Sequence, residues 1–281
     1  MSVRTLRYNT IEQHFTKSAL ASTDRDALAF LEAAQIYNTN QQRAIVNLVR
    51  SLKRVGLWSK MKAIYPFVGG TASSHKWNLK DPRDVDAAFR LTFIGGWTHS
   101  STGADPNGTN GYADTYLVPT VSLTNNSTHI SVYSREIGAA SGSNERVEIA
   151  STAADPNRFE IVTNTNGFQF SDHYNFNTNR IVKAPGADGR GYFVSNRRTS
   201  TEHKFFRNNV QVQFTNTSTS SGFTSLIYNF YIASLRSPSG FYYYSEKETA
   251  FVTIGDGLTD TDATRLYNIV DLYQKRLGRA V

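Results

Sequence analysis

Lys204-Phe205-Phe206-Arg207-Asn208-Asn209-Val210-Gln211-Val212-Gln213 reads as two short strands around a tight turn. Asn208 and Asn209 tolerate the positive φ that a two-residue hairpin loop demands, so 203–206 and 210–214 are expected to pair. Downstream, Ala250-Phe251-Val252-Thr253-Ile254 is a final strand of β-branched and aromatic residues that runs into Gly255-Asp256-Gly257-Leu258-Thr259. The spacing then turns helical, with Ala263, Leu266, Val270, Tyr273 and Leu277 on one face. Thr259 is the expected N-cap, with Asp262 at the third position. Lys275 and Arg276 suit the last turn, and Gly278 suits the C-terminal stop. A hairpin, a last strand and one terminal amphipathic helix predict a β-sandwich with a helix laid across a sheet.

The same reading extends upstream. Short strand-like runs separated by Gly, Asn, Ser, Thr and Pro clusters lie at 89–94, 112–118, 129–135, 146–151, 158–163, 191–195 and 227–235. Many short strands with turns between them predict a two-sheet sandwich or jelly roll. Residues 1–22 have no clear period and read as a loose arm. From Thr23, with Asp26 as its capping partner, the pattern is helical through Ala27, Leu28, Leu31 and Ala34. A second helix opens at a Thr39/Gln42 capping pair, carries Ile45, Leu48, Val49 and Leu52, and stops at Gly56. The short Tyr37-Asn38 link makes these two an antiparallel hairpin. A third helical stretch is expected from Leu57 to Ile64, ending before Pro66. The chain therefore divides into a helical segment, 1–64, and a sandwich with its terminal helix, 65–281.

Composition narrows the class. The 281 residues contain no cysteine, which excludes disulfides, thiolate metal sites and a cysteine nucleophile. Fifteen Tyr and seventeen Phe favour sheet. Met1–Tyr8 has no apolar h-region and no run approaches the ~20 residues that span a bilayer. Folding in a cytosol without membrane insertion is expected. The Asn-x-Ser/Thr triplets at Asn107, Asn126 and Asn216 then read as turn composition. Of the net charge of +7, residues 1–62 hold +6, ten Lys/Arg against four acids. That excess, with Arg43, Arg50, Lys53 and Arg54 at its centre, reads either as a solvated helical face or as a surface docking on an acidic partner. Nucleic acid is not expected, because the aromatics lie elsewhere.

Several motifs resemble a known group. Gly56-Leu57-Trp58-Ser59-Lys60-Met61-Lys62-Ala63-Ile64-Tyr65-Pro66-Phe67-Val68-Gly69-Gly70 is similar to the opening of a group of bacteriophage structural proteins. His75–Pro82, Gly95–Ser100, Asn107–Thr115 and the closing Ile254–Thr259 with its helix resemble the same group, over roughly residues 24–281. The group is similar to concanavalin A-like lectin and laminin-G-like sandwiches. The resemblance implies a virion component of tail fibre, baseplate or capsid-appendage type, made in the bacterial host cytoplasm. Its partners would be other virion proteins and copies of itself, a trimer among the possible assemblies. The basic N-terminal segment would attach it. A glycan-binding adhesion module for host attachment is the alternative, and a glycoside hydrolase the third reading.

The chain shows no reaction centre of its own, so a non-enzymatic protein is expected. A glycosidase needs two facing carboxylates. Glu145 and Glu148 fall on opposite strand faces, and Glu246 and Glu248 flank a lysine. The six histidines form no ligand pair, and His99 reads as a hydrogen-bonded turn residue. Asp105–Gly111 lacks the oxygen ladder of a calcium loop. No metal or cofactor is expected. The aromatic run ending in Tyr242, Tyr243 and Tyr244 is the best recognition surface, through core packing, a subunit contact or a glycan contact.

Overall fold

The structure, a computed structural model, describes residues 24–138, 146–152, 158–173, 180–183, 188–220, 222 and 226–281. The arm expected over 1–22, the Thr23 cap and Glu145 lie outside the described residues. Five helices, α1 (Arg25–Ala33), α2 (Thr39–Arg54), one-turn α3 (Ala72–His75) and α4 (Pro119–Ser122), and α5 (Asp260–Arg276), accompany the strands. In chain order the strands are β1 (Met61–Tyr65), β2 (Thr92–Ile94), β3 (Trp97–His99), β4 (Ala104–Pro106), β5 (Tyr112–Asp114) and β6 (Thr128–Ser134). They continue with β7 (Ile149–Thr152), β8 (Arg158–Thr165), β9 (Phe168–His173), β10 (Ile181–Lys183), β11 (Gly191–Thr199) and β12 (Glu202–Arg207). The last are β13 (Val210–Gln211), β14 (Tyr231–Ile232), β15 (Leu235–Ser237), β16 (Gly240–Tyr242) and β17 (Thr249–Asp256).

The fold is the mainly-β, jelly-roll-type sandwich that the sequence predicts. One sheet has the order β13-β12-β11-β6-β17-β4-β3, with β1 also paired to β17. The other runs β10-β9-β8-β7-β14-β5-β2, and every pairing within the two sheets is antiparallel. The decisive hairpin forms, with Arg207 opposite Val210 and Asn208 and Asn209 at φ of 46° and 63°, but its second strand is only Val210–Gln211 and not 210–214, because Gln213 at φ of +67° turns the chain out of the extended form. Period-two alternation separates the layers. Ile130, Val132, Phe193, Phe205, Val252 and Ile254 point between the sheets and meet Ile149, Phe159, Ile161 and Ile232. Tyr133, Tyr192, Phe206 and Phe251 point outward into a second core with α1, α2 and α5.

The helices thus cover the outer face of the β17 sheet, burying Phe30, Leu31, Ile45, Leu48, Val49, Leu52, Leu266 and Val270. The Thr259/Asp262 capping box of α5 is present in both directions. The cap of α1 sits one residue later than read, and that of α2 one residue earlier. Asp24 caps α1 by accepting from Asp26, and Asn38 caps α2 by accepting from Asn40 and Gln41. In both, an Asx side chain in extended backbone reaches the orphan amides first. The expected third helix over Leu57–Ile64 is replaced by a 3-10 turn, Trp58–Lys60, and by β1. A short apolar run is ambiguous by period alone, and here the open side of β17 supplies backbone partners, with Ile64 opposite Thr253 and Tyr65 opposite Val252.

A buried arginine closes the fold. Arg279, 1% exposed, donates through Nε to Gln274 Oε1 (2.6 Å), through Nη1 to the Phe67 carbonyl (2.6 Å), and through Nη2 to those of Pro66 (2.7 Å) and Ala250 (2.9 Å). It ties the segment after α5 to the end of β1 and to β17.

Candidate functional site

The aromatic run Phe241–Tyr244 sits where a small hairpin, β15–β16, folds over the outer face of the β8 sheet. Leu235 pairs with Tyr242, Arg236 with Phe241 and Ser237 with Gly240. One side of this hairpin is anchored: Phe241 stacks on Tyr112 with centroids 3.9 Å apart and meets Tyr231 edge-on, while Arg236 lies over Phe241. The other side carries Tyr242, which is 42% exposed. Alternation would next turn Tyr243 away. Instead Tyr243 adopts φ of +59°, a left-handed conformation rare for a tyrosine. Its ring packs against the apolar patch of Val147, Ala150, Val162, Phe170 and Leu235. The Arg158 guanidinium lies over it at 5.4 Å.

These side chains line a cavity of about 170 Å³ formed by Thr152, Arg158, Leu235, Ser237, Ser239, Tyr242 and Tyr243. The two tyrosine rings meet at 51°, with centroids 6.3 Å apart, and make an angled wall. Three aliphatic hydroxyls, the two phenol hydroxyls and one guanidinium supply the polar groups. Thr152 donates its hydroxyl to the Arg236 carbonyl, which leaves its oxygen lone pairs as acceptors. The cavity is smaller than the ~300–1,000 Å³ typical of sites that engulf a drug-sized ligand. It suits one ring of a larger molecule. Of the three tyrosines singled out in the sequence, the structure brings Tyr242 and Tyr243 together. Tyr244 is outside the cavity lining, bridging to Val147 and accepting from Arg146 through its carbonyl.

Next to this cavity lies a carboxylate pair that spacing alone did not reveal. Glu160 on β8 and Asp172 on β9 are directly opposed in register, and both are fully buried. Arg158 and Arg180 hold Glu160 at 3.5 and 3.6 Å, and Arg180 lies 4.0 Å from Asp172. Glu160 shares a strand face with Arg158, two residues away. The carboxylates considered in the sequence are otherwise engaged. Glu148 is buried against Lys247 at 2.7 Å, Glu246 meets Arg146 at 3.4 Å, and Glu248 pairs with Arg135.

The remaining candidates resolve as follows. His99 is not in a turn but on β3, and its Nδ1 lies 3.0 Å from His75 Nδ1. Because the Gly70 amide donates to His75 Nε2, His75 carries its proton on Nδ1 and donates it to His99. Burial, with His99 and Arg279 nearby, lowers the His75 pKa to about 3. Asn107 closes the Asp105–Gly111 turn by accepting from the amides of Thr109, Asn110 and Gly111. Among the described residues no group of three or more His, Asp or Glu is placed to hold a metal ion. No helix among them is long and apolar enough to cross a membrane. On α2, Arg43, Arg50 and Arg54 share one exposed face, whereas Lys53 is drawn to Asp24 (2.7 Å) and Asp26 (2.6 Å).

No family model matches the chain, and no curated protein matches it. Solved structures do. Domain 4 of AbnA, a GH43 extracellular arabinanase from Geobacillus stearothermophilus, solved with arabinotriose, is similar over 74% of this chain and 98% of its own. The TM-score is 0.51 and the identity 15%. Trypanosoma rangeli sialidase with sialic acid matches over 82% of this chain at a TM-score of 0.57 and 10% identity. The chain spans only 39% of that sialidase. A structure of botulinum neurotoxin type C, whose cell entry depends on two ganglioside molecules, matches over 77% of this chain and 53% of its own, with a TM-score of 0.51 and 10% identity. At such identities the likeness establishes the fold, a sandwich of the kind found in carbohydrate-binding and glycoside-hydrolase proteins. It also corrects the expectation of a non-enzymatic protein. That expectation rested on this architecture being mainly a binding or building scaffold, and the architecture recurs within sialidases and as a domain of an arabinanase.

Proposed function

We propose that the protein binds glycans through the Tyr242/Tyr243 cavity, and that it does so as a surface component of a bacteriophage virion. The observation that carries the first part is the cavity itself, with two angled tyrosine faces, three aliphatic hydroxyls and one guanidinium around a volume suited to one ring. An aromatic face takes the apolar C–H face of a pyranose, and the rim supplies donors and acceptors for its hydroxyls. The ligands named for the similar structures, arabinotriose, sialic acid and gangliosides, support this reading by analogy of fold. The virion setting rests on the motif resemblance, with the Arg43, Arg50 and Arg54 face of α2 as the attachment surface. A glycan array of bacterial surface saccharides should give hits with the wild-type protein and lose them in Tyr242→Ala. An array at background, or hits unchanged in Tyr242→Ala, would overturn the glycan reading. Absence of the chain from purified particles, checked by mass spectrometry, would overturn the virion setting.

One observation favours a second reading, cleavage of the bound glycan. Glu160 and Asp172 are directly opposed on neighbouring strands, which sets two carboxylates side by side, the residue pair on which glycosidic cleavage draws. Arg158 would have to swing clear to admit substrate. Reducing-end release from a bound saccharide, lost in Glu160→Gln with binding retained, is the expected signature. No release from any array-positive saccharide would exclude it.

A further inference from the structure

A larger groove lies where the open edges of the two sheets face each other, away from the tyrosine cavity. It measures about 530 Å³ and is lined by Lys183 from β10 and by Arg207, Asn208, Val210, Gln211, Val212 and Gln213 from the β12–β13 hairpin. We propose that this groove is a second saccharide site, selective for an anionic oligosaccharide that carries carboxylate or sulfate groups.

Charge argues first. Among the described residues the lining holds two cations and no carboxylate. Beside it, Asp188 is shared between Arg190 (3.0 Å) and Arg207 (3.4 Å). Three cations, Lys183, Arg190 and Arg207, against one carboxylate leave two positive charges at the groove. Arg207 is also held in place, because Nε and Nη2 both donate to the Arg190 carbonyl (3.0 and 2.9 Å). With Nε and one Nη2 hydrogen spent there, its Nη1 end is the fixed donor edge that can meet a carboxylate or sulfate.

The remaining lining fits sugar hydroxyls. Asn208 Oδ1 accepts from the Tyr192 amide and Gln211 Nε2 donates within the loop, so Asn208 Nδ2, Gln211 Oε1 and the Gln213 amide are the groups that face a sugar hydroxyl as donor and acceptor. Gln213 sits at φ of +67°, a left-handed conformation that is strained in a residue other than glycine. Gln211 Nε2 donates to its carbonyl at 3.0 Å and holds the bend. Val210 and Phe214, each 69% exposed, flank the groove as apolar surface for ring faces. At about three times the volume of the tyrosine cavity (530 against 170 Å³), the groove accommodates several linked rings.

The test measures binding of a galacturonate tetramer, a heparin-derived tetrasaccharide, maltotetraose and a short oligothymidylate by titration calorimetry in low salt. At least one anionic sugar should bind tenfold or more tightly than maltotetraose, and the better of the two identifies the anion. Lys183→Gln, at an exposed position, should weaken it at least threefold, and Lys183→Gln with Arg207→Gln at least tenfold. Tyr242→Ala should leave it unchanged, which separates this site from the tyrosine cavity. Equal affinity for charged and neutral sugars, an oligothymidylate that outcompetes both sugars, or insensitivity to Lys183→Gln and to the double variant would overturn the proposal.

Discussion

Lowering the pH from 7.5 to 5 is expected to cost this protein several kcal/mol of stability. His75, His129, His173 and His203 are all buried, none more than 1% exposed. Burial is the main cause that holds each below its ordinary value. His75 falls to about 3, helped by His99 and Arg279. His129 falls to about 4, its hydrogen bond to the Asp256 carbonyl opposing and Lys60 adding to the shift. His173 and His203 lie well below, with Arg197 beside both. In an unfolded chain a histidine titrates near 6.5. Between the two values the unfolded chain binds more protons, so stability is complete above pH 6.5 and falls as the pH drops. The loss levels off only near 4 for His129 and 3 for His75. At pH 5 these two residues together remove about 4 kcal/mol, and His173 and His203 act in the same direction. A typical domain has about 5–15 kcal/mol in total. Asp105 works the other way, raised to about 6 by burial and by Glu136, Glu248 and Glu246, but solvent reaches it and keeps the compensation small. Urea unfolding followed by tryptophan fluorescence at pH 7.5, 6.5, 5.5 and 5.0, at constant ionic strength, measures the effect. His129→Gln should lower stability at pH 7.5 and flatten its pH dependence. A midpoint that does not move between pH 7.5 and 5 would refute the reasoning.

Other perturbations have equally definite outcomes. Arg279→Ala withdraws donors from the Pro66, Phe67 and Ala250 carbonyls and should cost about 3–5 kcal/mol, read as a fall in urea midpoint. An unchanged midpoint would mean that the end of the chain is not latched. Lys247→Met strands Glu148 in the interior and should cost about 3–5 kcal/mol, partly restored by adding Glu148→Gln; no restoration would show that packing, not charge, is at stake. A chain beginning at Leu57 loses Phe30, Leu31, Ile45, Leu48, Val49 and Leu52 from the outer core, each worth about 1.5–3 kcal/mol. It should fail to give a cooperative thermal transition, and a transition at the full-length temperature would show that the hairpin is dispensable for folding.

Much of the architecture was legible in residues that signal locally. Asn208-Asn209 dictates a hairpin, because few residues tolerate two successive positive φ values. Thr259 with Asp262 caps its helix using atoms three residues apart. The alternation in His129–Tyr133 and Phe251–Ile254 marks the faces of the two central strands. What was misread depended on distant partners. Met61–Tyr65 became a strand because β17, nearly two hundred residues later, had a side to fill. Short strands such as Trp97–His99 and Ile181–Lys183 carry too few residues for any period to show.

The candidate sites divide in the same way. Sequence alone determined a cysteine-free, aromatic-rich sandwich, its decisive hairpin, its terminal helix and a tyrosine run suited to recognition, because turn chemistry, capping and strand alternation act over a few bonds. Tertiary structure decided which tyrosines meet: the left-handed backbone at Tyr243 breaks the alternation that would have turned its ring away from Tyr242. It also set Glu160 against Asp172 through register, and Lys183 opposite Arg207 across two sheet edges. Those meetings follow from strand order and long-range packing, which no stretch of this chain encodes by itself.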